Sequence, residues 1–487
     1  MPRLTTARKS IRASVFFFCT ALAWGQTVPS AGLQYLENVT IPNWTTSGST
    51  QANFDLFYFN PATRIMYVAD RVNHAVTGID TRANVAIGSM PVPGGPSTNG
   101  VLVALDLQQL VVTDGRANVY VWDLRLPGSG PDKYALPNVT GGTDAMEYDP
   151  LNQTVYVING SSPYYITGIN LAYKKIASQL ALPTSPELNA FNPNDGLIYQ
   201  VTTDGDNKNA GAGVIVYDPV ANAIKTTYLT PNCVGHGIGI DPVSNVALIG
   251  CGTNQGQVMM NLKDGTILKQ FSDVTGTDLL VFNPGNRRFY TGSAGNVSTT
   301  TGCSADSTKA IPIVGVFEAP MVGGVPTPKL DGVACVGRGA KLGVDPTQNL
   351  LYVGSRQYPV DPASNMTGQP GVQIFADPVP PQPLTTQTTA ALKSLAGATS
   401  QAIVQMTQVG RHIRLTSVPT GITGMSALIV VTTTVGMETV PCAVNNAAST
   451  AICNGNLLGD PLIGGVATLA VDGVPVARGP IASGPGS

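Results

Sequence analysis

Charge is what this sequence has least of. Asp, Glu, Lys and Arg make up 11% of its 487 residues, and the 27 basic residues do not outnumber the 29 acidic ones. A chain without basic excess offers a polyanion no electrostatic footprint, which excludes nucleic acid and anionic membrane as principal partners. Histidine occurs three times, and no HExxH, CxxC or mixed Cys/His spacing is present, so the ordinary zinc sites are excluded. There is no G-x-S-x-G for a hydrolase elbow and no CxxCH for haem attachment. The stretch Gly235-His236-Gly237-Ile238-Gly239 is no phosphate loop, because no helical pattern follows it. Sustained helical periodicity is missing throughout, and beyond the N-terminal segment no apolar run is long enough to span a membrane.

What the chain does have is glycine, proline and many short apolar runs punctuated by Asn and Asp, the pattern of an all-β protein. Its start is different. Arg3, Arg8, Lys9 and Arg12 precede the apolar residues 13–22, and Ala23-Trp24-Gly25 forms a small-x-small cleavage site. Residues 1–25 therefore read as a signal peptide. The mature chain is expected to begin near Gln26 and to be secreted, or periplasmic in a Gram-negative host. Of seven cysteines Cys19 lies in this segment; the other six, an even number in an exported chain, are expected to pair.

Residues 55–80 (DLFYFNPATRIMYVADRVNHAVTGID) hold the unit from which most of the chain is built. A strand ends in Asn60-Pro61, a turn follows, then a second strand at 66–70 and a third ending at Asp80. The Asx-Pro pair recurs at Asp149-Pro150, Asn192-Pro193, Asp241-Pro242, Asn283-Pro284 and Asp345-Pro346, each followed at constant spacing by a second strand. A unit at 99–123 fits with a turn shorter by two residues. Third strands end at Asp80, Asp123, Asn170, Asp218, Asn261, Glu318 and Asp377. Seven units of about 40 residues, four strands each, make a seven-bladed β-propeller over residues 26–377. The seventh unit stops after three strands. Residues 33–42 resemble a fourth strand and are expected to close the ring by pairing with the last blade.

Tyr67-Val68-Ala69-Asp70 followed by Val76-Thr77-Gly78-Ile79-Asp80-Thr81, with Tyr156-Val157 and Tyr352-Val353, resembles the YVTN family of propeller repeats. That family includes lactonases, lyases, electron-transfer partners and plain binding modules, so the resemblance implies an architecture more than an activity.

In a propeller the first strand of each blade lines the central channel, and its N-terminal end opens on the face that usually binds ligands. Counting back five residues from each Asx of the Pro turn gives Asp55, Asp144, Glu187, His236 and Asp278; the second blade gives Asn99, and the seventh gives Ala340 between Arg338 and Lys341. Six of the seven positions are polar, on strands that are otherwise apolar. A ring of carboxylates and an amide suits a hard divalent cation such as Ca²⁺. Propeller lactonases hold such an ion with Glu, Asn and Asp. By that resemblance Asp55, Asn99, Asp144, Glu187 and Asp278 would be metal ligands and His236 the base that activates water, with His74 as a helper on the same face. The bland alternative is a polar cap that holds water. The leading expectation is a binding or scaffold module for a small molecule, a glycan or a protein. The alternatives are a cation-dependent hydrolase resembling propeller lactonases and, behind it, an enzyme resembling streptogramin lyases.

The disulfides are expected to follow blade geometry. Cys233 and Cys251 both fall on the mouth side, as do Cys303 and Cys335, and Cys442 and Cys453 staple a hairpin. Long loops at 204–213, 294–310 and 357–371 open on the same side. After a stiff linker at 378–389 the composition changes to uncharged Thr, Val, Ala and Gly, which reads as a small Ig-like β-sandwich over 390–487. Residues 390–397 read as a helical lead-in to it.

Overall fold

A computed structural model describes residues 30–483, apart from 47, 49–50, 151, 204–212, 253, 297–302, 304–311, 358–368, 380–386, 396, 410–411, 434–435 and 459–464. The expected signal peptide, most of the three long loops and the centre of the linker lie outside the described residues.

The Asx-Pro turns work as the sequence leads one to expect. In five of the six the Asx side-chain oxygen accepts the backbone N–H two residues on: Asn60 from Ala62 at 3.0 Å, Asn192 from Asn194 at 3.1 Å, Asp241 from Val243 at 3.0 Å, Asn283 from Gly285 at 2.8 Å and Asp345 from Thr347 at 2.9 Å; Asp149 accepts that of Asn152 at 3.3 Å. Every such turn ends on a left-handed residue: Arg64, Gln108, Gln153, Gly196, Asn245, Arg287 and Asn349. Gln108 belongs to the second blade and corrects its reading. Ala104 pairs with Gln109 as Asn60 pairs with Ile65, so that turn is the same length as the others. Ala104 merely replaces the Asx.

These turns join the first two strands of seven antiparallel four-stranded blades. The inner strands are Phe54–Asn60, Thr98–Ala104, Thr143–Asp149, Pro186–Asn192, Gly235–Asp241, Leu279–Asn283 and Arg338–Asp345. Each packs on the next and the seventh on the first, so the ring is closed. The second strands of blades two to six are buried at every residue. Both their faces meet neighbouring blades, which is why they read as unbroken apolar runs. Phe54, Phe289 and Phe317 are fully enclosed, each burial worth about 2–3 kcal/mol. In the seventh blade the fourth strand is Gln34–Val39, which runs antiparallel to Gly371–Ala376, with Gln34 opposite Ala376 and Val39 opposite Val372. The ring closes as expected.

The C-terminal unit is not an Ig-like sandwich. Its strands run in the order Ala402–Val409, His412–Ser417, Thr450–Leu458, Gly436–Asn445, Ala427–Thr433, Val466–Val471, Val474–Pro480 and Gln387–Ser394, and the last returns to pair with the first. Eight strands thus form one closed antiparallel barrel. The alanine-rich residues expected to be helical are the strand that closes it. Ala390 and Leu392 face the barrel core while Ala391 and Lys393 face outward, an alternation of period two that packing imposes over local helix preference. Closure removes the open edges a sandwich would leave.

The barrel rests on the propeller face that carries the Asx-Pro turns. Arg478, almost wholly buried, pairs with Asp106 at 3.1 Å and donates to the Pro150 carbonyl at 3.0 Å. The three disulfides join Cys233 to Cys251, Cys303 to Cys335 and Cys442 to Cys453, the pairs expected.

Candidate functional site at the channel mouth

At the face opposite the barrel the inner strands begin, and most begin with a slip of register. The ladder between first and second strands shifts between Phe54 and Phe57, Thr98 and Val101, Thr143 and Met146, Pro186 and Asn189, and Gly235 and Gly237. These bulges fall on Asp55, Asn99, Asp144, Glu187 and His236. A bulged residue leaves the ladder and its side chain is re-aimed, here to the channel mouth. Asp278 directly precedes the sixth inner strand, its N–H donating to the Gly292 carbonyl at 3.0 Å.

The seventh blade breaks the pattern. Ala340 is buried in left-handed backbone (φ 43°), flanked by register slips. Its carbonyl lies where a Cβ on Gly292 would come within 1.8 Å, so only glycine fits opposite. The next residue, Lys341, takes the place that Asp55 and its counterparts hold in the other blades. Its ammonium lies 2.9 Å from Asp55 Oδ1 and 2.8 Å from Asp278 Oδ2. Arg71, from the loop between the second and third strands of blade one, supplies a second cation. It pairs with the other oxygen of Asp55 and donates to Asn99 Oδ1 at 2.9 Å and to the Thr98 carbonyl at 3.2 Å. Asn99 Nδ2 in turn donates to the Thr143 carbonyl at 3.0 Å.

The ring is therefore neutralised on one side only. Burial works against the charge on Lys341, but Asp55 and Asp278 outweigh it and hold its ammonium above the usual lysine range. Burial likewise opposes ionisation of Asp278, yet Lys341 brings that carboxyl below its ordinary value. Across the channel the same cations lie too far to pair: Lys341 and Arg71 still act to lower Asp144, and Lys341 to lower Glu187, but burial outweighs them. Burial first, and then the charge of Asp55, push Asp144 up to about 7. Among the described residues its carboxyl has no hydrogen-bond or ion-pair partner. Burial and then Asp144 push Glu187 up to about 8. Glu187 Oε1 stands 4.0 Å from His236 Nδ1. Burial keeps that imidazole below its ordinary value, with Asp278 acting against the shift and Lys341 for it, so His236 is neutral at pH 7. Gly252, directly after Cys251, gives it room; a Cβ there would lie 2.8 Å from His236 Nε2.

The structure thus gathers Asp55, Asn99, Asp144, Glu187, His236 and Asp278 at one mouth. It does not gather His74, which is exposed in a left-handed turn with Nδ1 3.3 Å from the Pro96 carbonyl. Nor are the five proposed ligands drawn to a point: the place between Asp55 and Asp278 that a metal would occupy holds the Lys341 ammonium. Among the described residues no three His, Cys, Asp or Glu side chains are grouped so as to hold a metal ion. Arg71 and Lys341 are the site residues that reading by position does not select. Arg71 follows a strand end, in the loop that directed attention to His74, and Lys341 lies one residue past the counted position, displaced by the bulge at Ala340.

By sequence the chain matches no family profile and no curated protein. Among solved structures it is similar to the Neurospora crassa Pan2 WD40 domain (8% identity, TM-score 0.52, 71% of this chain and 96% of that one). It is also similar to the RRP9 WD40 repeats (10%, 0.52, 73% and 99%) and to a chain of the mitotic checkpoint complex (12%, 0.51, 77% and 98%). At such identities the likeness is one of fold, and it is the propeller fold already described.

Proposed function

We propose that the chain is an extracellular binding or scaffold module whose channel mouth receives a cationic group, a lysine or arginine side chain of a protein partner or an amine of a small ligand. One observation carries this reading. Lys341 and Arg71 satisfy Asp55 and Asp278, while Asp144 and Glu187 face the same opening with no cation of their own. An ammonium or guanidinium seated between them would meet two carboxylates and draw both pKa values back down. The three disulfides support an oxidising, extracellular setting. The shared propeller fold, which one similar chain carries inside a multiprotein complex, supports a scaffold role and leaves the partner to be set by the site.

The pH dependence has a definite sign. Below about pH 7 Asp144 is protonated, and below about pH 8 Glu187 is protonated. Affinity for an amine or guanidinium probe should therefore rise between pH 6 and pH 8.5. Calorimetric titration with N-acetyl-lysine amide and N-acetyl-arginine amide, on the parent and on the Asp144→Asn/Glu187→Gln variant, tests this. Binding that strengthens with pH and drops at least ten-fold in the double variant is the expected result. Equal binding by both proteins would refute it.

The hydrolase reading keeps one observation in its favour, the neutral His236 beside Glu187. It requires a cation where Lys341 stands. A stoichiometric divalent ion in the purified protein, with a melting temperature lowered by EDTA and turnover of lactones, would establish it in place of binding. The expected outcome is a melting temperature that EDTA leaves unchanged.

A further inference from the structure

At the end away from the ring the channel meets the barrel. There Thr432 and Val466, directly opposite each other on adjacent barrel strands, stand beside it. With the propeller they line a cavity of about 210 Å³. This cavity shares Tyr58, Glu147, Phe191, Ile240 and Phe282 with a second, of about 290 Å³, that occupies the channel itself. The two form one chamber, walled mainly by aromatic and aliphatic side chains and prolines.

Few polar groups face it. Asp106 is committed to Arg478 and to the Tyr148 hydroxyl, which donates to it at 2.8 Å. The Glu147 carboxyl accepts backbone N–H groups of Tyr148, at 3.0 Å, and of Phe191. Burial nevertheless pushes it up to about 8, so it is a neutral acid at physiological pH. Thr432 is different. It is only 7% exposed, and its hydroxyl has no hydrogen-bond partner among the described residues. A buried hydroxyl is rarely left unmatched. One that lines an apolar chamber marks where a ligand's polar atom belongs.

We propose that this chamber is a second binding site, formed jointly by propeller and barrel, for a small uncharged molecule with a mainly hydrocarbon body and one hydroxyl or carbonyl oxygen. The oxygen bonds to Thr432 and the body fills the channel end. An anion would lie beside two carboxyl groups. An ammonium would have to shed its water against an apolar wall. None of the ring residues lines the chamber, and its far end is built by both domains, which gives the barrel a part in binding.

Benzyl alcohol and toluene are matched probes, one with the hydroxyl and one without. Their binding to the full mature chain, followed by calorimetry, is to be compared with that to Thr432→Val, Val466→Phe and Asp144→Asn/Glu187→Gln. The expected result is saturable binding of both by the parent. Thr432→Val should weaken benzyl alcohol about five-fold and leave toluene unchanged. Val466→Phe should abolish both by filling the space, and the mouth variant should bind both normally. Should Val466→Phe fail to fold, the Thr432→Val comparison decides alone. No saturable binding to the parent means that solvent alone fills the chamber and overturns the proposal. Equal weakening of both probes by Thr432→Val, or loss of binding in the mouth variant, overturns it too.

Discussion

Two residues at the mouth carry opposite lessons about buried charge. Lys341 is 14% exposed at its side chain and bridges two carboxylates. Lys341→Met removes the shared cation and leaves Asp55 to Arg71 alone. Breaking a fully buried pair costs about 3–5 kcal/mol; with Arg71 remaining and Asp278 half exposed, a loss of about 2–3 kcal/mol is expected by chemical denaturation at pH 7. Glu187 is the reverse case, an acid whose folded state prefers the proton. Its pKa rises from an ordinary 4.5 to about 8. The stabilisation this supplies is fully present below about pH 4.5 and is lost as pH rises through 8. Glu187→Gln keeps a neutral group at every pH. The variant is expected to be more stable than the parent at pH 9, by about 1 kcal/mol after allowance for partial exposure, and to show no such gain at pH 5.

At the scale of elements, the bulge is the device that makes the site. An inner strand in unbroken register would point Asp55 or Glu187 along the ladder; one extra residue turns it to the axis. Five of the ring residues were legible because an Asx-Pro turn lies a constant five residues downstream of each, and Asn99 because its blade repeats the unit with Ala104 in place of the Asx. The seventh was not, because the left-handed backbone at Ala340 displaces the side chain that matters by one place, and no local signal announces it. Arg71 was hidden for another reason: a cation reaching in from a neighbouring loop leaves no periodic trace. The strand that closes the barrel was misread because Ala-rich residues favour helix until a neighbour on each side claims their backbone. The cysteine pairs, by contrast, followed from which end of which strand each residue occupies. The Cys233–Cys251 bond, with a sequence separation of 18, ties the approach to His236 to the end of the next strand. By the loop-closure argument its removal in Cys233→Ser/Cys251→Ser should cost about 3 kcal/mol. The measurement is thermal denaturation of the oxidised parent against the variant.

At the scale of the molecule, propeller and barrel meet through a buried ion pair. Arg478 and Asp106 are 3% and 7% exposed at their side chains. Arg478→Met leaves Asp106 enclosed without its cation, at a cost of about 3–5 kcal/mol. The expected signature is a barrel that unfolds in its own earlier calorimetric transition, or is released by limited proteolysis while the propeller stays intact. A single unaltered transition would show that the two units are held together by something else. The closure of the ring has a consequence in time. Gln34–Val39 and Gly371–Ala376 are partners, yet they leave the ribosome on the order of 340 residues apart, which at usual synthesis rates is tens of seconds. Six blades can complete themselves from their own neighbours as they emerge. The strand made earliest must wait for the one made last, with its backbone edge unclaimed throughout. Its sequence, QYLENV, is half Gln, Glu and Asn and carries a charge at Glu37, a composition that resists pairing with the wrong edge during that wait.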